Sequence, residues 1–425
     1  MRICIVGKFP PIEGGVSHQT HLAAHELARR GHDVAVVTNA AQVEPELRAL
    51  MLPGDSERLE GRYELGSVTC APILSLPIGS FVPWAAPYAS ELFGRALSVI
   101  EERGCDLVVG WYLEPYGVVA AQVAATTDTP LVLRHAGSDL TRLPSHPDLR
   151  RAYAWALQRA DRVLTTPSSI DRLVELGADR SGLVVLRGSR APAYFQPDAE
   201  SLDLADVRRR AAGWWEAVGV GGDPGRDPPE GSEATTIGVY GKVGEEKGSF
   251  DLLAALDELA ATGLDFHLQA VVGGHRPTVG AFARRVRRSP ALAARTTLVP
   301  FLAPWRIPSF LRRCDLTCFL ERAFSVPTHQ PRVPQEVMLV GSCLVCSREI
   351  ADRPFYSETL VDRRNCLVVD DPRDTAELAR TLAWALDHPD EVRALAARGR
   401  ALMQSLSGVL PSRDEHADAI EAGWD

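Results

Sequence analysis

The chain has 425 residues, 45% of them apolar and 24% charged, and a formal net charge of 46 − 55 = −9. At roughly 100–200 residues per domain, this length predicts two or three soluble globular domains rather than a disordered or fibrous chain. The acidic balance excludes a bulk nucleic-acid binder, which carries a basic face. Only Lys8, Lys242 and Lys247 are lysines, so 46 − 3 = 43 basic residues are arginine. Anionic ligands are therefore expected only at local basic clusters.

No run of 18 apolar residues is free of breakers, and MRICIVGKFPP meets a proline pair before a signal-peptide core could form. The expectation is a cytoplasmic protein, at most peripheral to the inner face of the membrane. Most of the eight cysteines lie in apolar runs such as RICIV, LTCFL and SCLVC, which predicts buried, reduced thiols. The set Cys314, Cys318, Cys343 and Cys346 has a zinc-like look. Residues three apart on a strand point to opposite faces, however, so Cys343 and Cys346 cannot easily share a metal.

In chain order, the pattern opens with a strand at 3–7, a loop at 8–15 and a helix at about 17–30 closed by Gly31, then a strand at 34–38. Further strands are predicted at 107–110, 131–134, 162–166 and 182–186, with helices such as 150–158 between them. Strands alternating with helices imply crossover connections and a parallel sheet, so this half reads as one doubly wound domain. The segment 71–90 holds four prolines and no charge, with Phe81, Trp84 and Tyr88. It reads as a packed surface loop or as a lid or apolar acceptor surface.

Periodicity breaks down from 191 to 235, ending in GVGGDPGRDPPEGSEA, which suits a linker or insertion, with Trp214 and Trp215 as its anchors. Alternation restarts with strands at 236–240, 267–272, 297–301, 316–320, 342–347 and 366–369. Helices are predicted near 250–261, 307–313, 335–340 and 374–387. The domains expected are 1–190, a linker at 191–235, a second doubly wound domain at 236–400, and a helical tail at 401–425 that returns to the first domain. Two such domains leave a cleft, and in open α/β sheets ligands bind beyond the carboxyl ends of the strands.

Two strand-end loops carry candidate chemistry. In KFPPIEGGVSH the first strand delivers Gly14 and Gly15 to a helix start, where free N–H groups and the positive dipole end suit a phosphate or sugar. The same glycines also suit an ordinary strand-to-helix turn. The second loop is GKVGEEKG after the strand IGVY, and it places two of the three lysines five residues apart. Ammonium groups there can clamp a diphosphate as compact point charges. Two solvated surface lysines are the alternative, but lysine scarcity argues against coincidence.

These elements resemble the retaining glycosyltransferases of family 4, a large group with the GT-B fold that includes many bacterial mannosyl-, glucosyl- and N-acetylglucosaminyltransferases. FPPIEGGVSHQTHLAAHELARRGHDVAVVT is similar to the family's opening, and YGKVGEEKGSFDLLAAL to its donor loop, with Lys242 in place of the usual arginine and Lys247 matching. LVLRHAGSDL is similar to the strand end that carries the family's active-site histidine, here His135. VVLRGSRAPAYFQP resembles the segment that leads from one domain to the next. RCDLTCFLERAFSVPTHQPRVPQEVMLVGSCLVCS resembles the donor-sugar and ribose site, which normally has two glutamates separated by seven residues. Glu336 fits the second. The first is replaced by Thr328, beside His329, and Glu321 lies seven residues further upstream.

The resemblance implies an α/β GT-B enzyme with two Rossmann-like doubly wound domains facing across a cleft. It would transfer a hexosyl or N-acetylhexosaminyl unit, with retention, from a UDP- or GDP-linked sugar to a hydroxyl or amino acceptor. No cofactor and no metal are implied, the lysines standing where magnesium would otherwise neutralise charge. Gly14, Gly15, Lys242, Lys247, Glu336, Thr328 and His329 would bind the donor, with His135, Lys242 and Lys247 acting in catalysis.

Chemically, Glu336 can accept two hydrogen bonds from a ribose diol or simply stabilise its helix start, and His135 can hydrogen-bond a sugar or acceptor hydroxyl. Arg134 and Asp139 are candidates for orienting His135 or the acceptor. Trp111 and Tyr112 stack on an acceptor or pack between domains. His18, His21 and His25 recur at helix spacing without a cysteine or a carboxylate on their face, which reads as helix surface or core rather than metal. The rival readings are a GT-B sugar phosphorylase or nucleotide-sugar epimerase, or a non-catalytic nucleotide-sugar binder that has lost the first glutamate. The acceptor itself stays open between polysaccharide, lipid-linked sugar, thiol precursor and aglycone.

Overall fold

The computed structural model describes residues 1–73, 88–141, 143–186, 191–200, 202–221, 225–226, 234–323, 331–353, 356, 358–406, 415–422 and 424. It divides into two compact units, one of residues 1–44, 51–189 and 411–425, the other of residues 45–50 and 190–410.

The first unit is built on the strands β1 (Arg2–Gly7), β2 (Asp33–Thr38), β3 (Gly61–Arg62), β4 (Ser67–Pro72), β5 (Leu107–Trp111), β6 (Leu131–Arg134), β7 (Arg162–Thr165) and β8 (Leu183–Val185). They form one sheet in the order β3-β4-β2-β1-β5-β6-β7-β8, parallel except where β3 meets β4. Apolar runs such as RICIVG and DVAVVT form its central strands because both faces are covered. Ile3, Ile5, Val34 and Val36 point into a core shared with the helix Gly15–Arg29, and Cys4, Val6, Ala35 and Val37 into a core beneath the helices Tyr88–Arg103 and Val118–Thr127. β4 escapes a periodicity reading because it is half exposed and ends in proline.

The helix Glu415–Glu421 packs with this unit: Ala417, Ala419 and Ile420 are buried in its core. Arg30 of the Gly15–Arg29 helix end donates to Asp418 at 2.7 Å and to Glu421 at 2.5 Å.

The second unit carries β9 (Thr235–Lys242), β10 (Phe266–Gly273), β11 (Thr296–Pro300), β12 (Leu316–Phe319), β13 (Cys343–Ser347) and β14 (Leu367–Val369), all parallel, in the order β11-β10-β9-β12-β13-β14. The segment expected as a linker or insertion carries secondary structure. Its described part forms the helices Leu204–Arg210 and Ala212–Ala217, and Trp214, Trp215, Val218 and Val220 are buried in the core of this unit. Two indoles burying roughly 150–250 Å² each outweigh the glycines and prolines that follow them.

All eight cysteines are free of disulfides, and Cys4, Cys314, Cys318, Cys343, Cys346 and Cys366 are buried. No helix among the described residues is long and apolar enough to cross a membrane.

Candidate active site

In the second unit β9 runs straight into the loop that sequence singled out. Gly241 sits at φ +123° and Gly248 at φ +66°, conformations that favour glycine. At Gly248 a Cβ would also collide with the carbonyl oxygen of Leu320 just past the end of β12. The loop therefore passes against the neighbouring strand end because residue 248 has no side chain. Lys242, the last residue of β9, is exposed. Lys247 lies in the short helical turn Glu245–Lys247, and its ammonium contacts the carboxylate of Glu321, which is 2% exposed.

Glu321 is itself fixed, since its carbonyl accepts from the Ser347 hydroxyl at 2.5 Å. The following residue, Arg322, braces the loop by donating from its backbone N–H to the Glu246 carbonyl at 2.9 Å and from Nε to Asp251 at 2.6 Å. The sequence reading passed over Arg322; its single signal was a basic residue soon after a strand end.

Glu336 lies in the first turn of the helix Val333–Val340 and is buried. The Tyr240 hydroxyl, from β9, donates to its carboxylate. Burial pushes the Glu336 carboxyl above its usual range, opposed by the Tyr240 hydrogen bond and the charge of Arg332. The helix start is tied down further by Gln335, which accepts from the Ala191 N–H at 3.2 Å, and by Tyr356, whose hydroxyl donates to the Pro331 carbonyl at 2.5 Å. Tyr240 was not foreseen, because a tyrosine inside an apolar strand looks like core. The structure thus brings Lys242, Lys247 and Glu336 to the carboxyl edge of one sheet. Thr328 and His329 lie outside the described residues.

In the first unit the Gly14–Gly15 turn opens the helix Gly15–Arg29, with Gly14 at φ +106° and no side chain capping the helix. A Cβ at either glycine would meet nothing within 4 Å, so backbone N–H groups here are approachable. His135 follows β6 and is 2% exposed. Its Nε2 pairs with the Thr165 hydroxyl at 2.8 Å, while Nδ1 has no hydrogen-bond partner among the described residues. Burial, reinforced by Arg134, pushes the imidazole well below its usual range, so it is neutral at pH 7.

The remaining acceptor candidates occupy other roles. Asp139 is fully buried and accepts from the backbone N–H groups of Leu113 at 3.0 Å, Ala136 at 2.9 Å and Gly137 at 2.8 Å, so it shapes the turn after His135 instead of meeting a ligand. Arg134 is buried, and its Nη1 donates to the carbonyls of His135 and, at 3.4 Å, Leu164. Trp111 is 0% exposed and stacks on His416 with ring centres 5.3 Å apart, a packing residue with no face left for an acceptor. Tyr112 alone of these keeps a partly open ring, held at φ +82° with the Lys8 ammonium 4.7 Å from its centre. The rings of His21 and His25 lie against each other, centres 4.2 Å apart and tilted by 39°.

The two Rossmann-like domains are the GT-B architecture of glycosyltransferases. The model of a glycosyl transferase 4-like domain matches residues 14–188, and that of glycosyl transferases group 1 matches residues 226–402, so the chain belongs to the family 4 type of GT-B glycosyltransferases. No curated protein matches it at a significant level. Among solved structures it is similar to HepE of Anabaena in complex with UDP-glucose, at 16% identity and a TM-score of 0.61 over 95% of each chain. It is also similar to WaaG, a glycosyltransferase of lipopolysaccharide biosynthesis, at 15% identity and 0.61 over 100% of each chain. The sucrose-phosphate synthase of Thermosynechococcus elongatus follows at 16% identity and 0.60, covering 99% of this chain and 97% of its own.

Proposed function

We propose that this glycosyltransferase moves a hexosyl or N-acetylhexosaminyl unit, with retention and without a metal, from a nucleoside diphosphate sugar to a hydroxyl or amino acceptor. The second unit binds the donor and the first the acceptor. The observation that carries the donor assignment is the buried Glu336, held by Tyr240 on the same sheet edge as Lys242 and Lys247. A carboxylate so held can accept from a ribose diol, and the two ammonium groups match a diphosphate. UDP is favoured over GDP by the UDP-glucose complex of the similar HepE.

Retaining transfer requires the leaving diphosphate to be stabilised while the sugar becomes oxocarbenium-like, and fixed cations and N–H groups aimed at that charge supply most of the catalysis. Lys242 and Lys247 are the cations. Neutral His135 serves as a hydrogen-bonding group rather than as a charge.

The test is incubation with UDP- and GDP-sugars in the presence of EDTA, scoring nucleotide release and the anomeric configuration of product. Release that survives EDTA and is abolished by reversing the charge at Lys242 and Lys247 together is expected. Activity retained in that double variant overturns the donor assignment, and release that stops with EDTA overturns metal independence.

A further inference from the structure

At the opposite end of the second unit's sheet lies a cavity of about 440 Å³, formed where Thr235 begins β9, Asp315 precedes β12 and Gly341 precedes β13. β9 spans the eight residues from this cavity to the donor loop, which at about 3.3 Å per residue separates the two by roughly 25 Å. The cavity is thus distinct from the donor site. Its size falls within the range of small-molecule sites, about 300–1,000 Å³, and is too large for a bare ion.

The lining has a definite chemistry. Val340, Val392, Ala385 and Ala396 form apolar walls, and Arg312, Arg393 and Arg400 bring three guanidinium groups against one carboxylate, Asp315. That carboxylate is already engaged: it accepts the Thr236 N–H at 2.7 Å, bracing the starts of β9 and β12. Arg393 pairs with Asp390 on its own helix, and Arg312 gives one donor to the Ala199 carbonyl at 2.5 Å. Arg400, on the helix Pro389–Ser405, has no hydrogen bond or ion pair among the described residues, and its Nε is buried without a partner. A guanidinium has five donors in a rigid fork that matches phosphate and carboxylate. In a chain of net charge −9 with abundant acids, a cation left unpaired at the wall of a cavity is conspicuous.

We propose that this cavity is a second binding site, for a small organic anion whose phosphate or carboxylate group is held by Arg400 and Arg312 and whose apolar body packs on Val340, Val392 and Ala396.

The test is calorimetric titration of the full chain with glycerol 3-phosphate and, separately, hexanoate, which distinguish the two acid groups. At least one is expected to bind with a dissociation constant of about 1 mM or tighter. Arg400→Gln should weaken that binding by about tenfold or more, while Lys242→Gln/Lys247→Gln, which disarms the donor loop, should leave it unchanged. Folding of each variant is checked by circular dichroism, and Arg312→Gln carries the same expectation if Arg400→Gln does not fold. The proposal is overturned if neither anion binds at about 1 mM, if the arginine variants bind as well as the parent, or if binding disappears in the double lysine variant, which would place the anion on the donor loop.

Discussion

At the scale of single residues, the site depends on buried polar groups whose partners come from other elements. Glu336 without the Tyr240 hydroxyl would be a buried carboxylate short of a hydrogen bond, a loss of about 1–3 kcal/mol. Tyr240→Phe is therefore expected to raise the KM for the nucleotide sugar by about tenfold while leaving the far-ultraviolet circular dichroism unchanged; an unaltered KM would show that Tyr240 is only packing. Buried histidines set the pH response. His25 is pushed down to about 3 and His135 well below its usual range, both by burial first. Because the folded values are depressed, each contributes stability that is complete above about pH 6.5 and is lost as pH falls toward the folded value. Between pH 6.5 and 5.5 the loss from His25 is about 1 kcal/mol. Denaturant unfolding at the two pH values should show it, and His25→Asn should reduce the difference.

At the scale of elements, the two glycine turns differ in what they demand. Gly14→Ala places a Cβ in open space and costs only the strain of a positive φ, about 1 kcal/mol. Gly248→Ala adds a collision with the Leu320 carbonyl, so the donor loop must shift away from β12 and carry Lys247 from Glu321. Nucleotide affinity, measured by titration with UDP and GDP, is expected to fall by about tenfold or more in Gly248→Ala. An affinity unchanged in Gly248→Ala would show that the close passage at 248 is not what shapes the loop.

At the scale of the molecule, each unit is a parallel sheet with its own core, and residues 204–220 complete the second instead of connecting the two. Trp215 is 0% exposed in that core. Trp215→Ala is expected to cost about 3–5 kcal/mol, seen as a lower midpoint for unfolding of the second unit. A midpoint unchanged from the parent would mean that the segment is a tether, as its glycine-rich end suggests.

The alternation of apolar strands with helices and the two strand-end loops were legible in the amino-acid sequence, because parallel strands buried on both faces leave long apolar runs and their ends carry turn residues; Glu336 was reached through the family resemblance. The lysines were legible through their rarity and their place on a strand-end loop. What only the tertiary structure decided is which neighbours complete those residues: Tyr240 on Glu336, Glu321 on Lys247, Thr165 on His135, and backbone N–H groups on Asp139. It also decided for Trp111 between stacking and packing, and showed into which core Trp214 and Trp215 anchor their segment. The physical reason is common to all of these. Periodicity along a chain reports which face a residue takes, whereas hydrogen-bond partners and burial depend on strands and helices distant in sequence, whose approach is set by the packing of the whole unit.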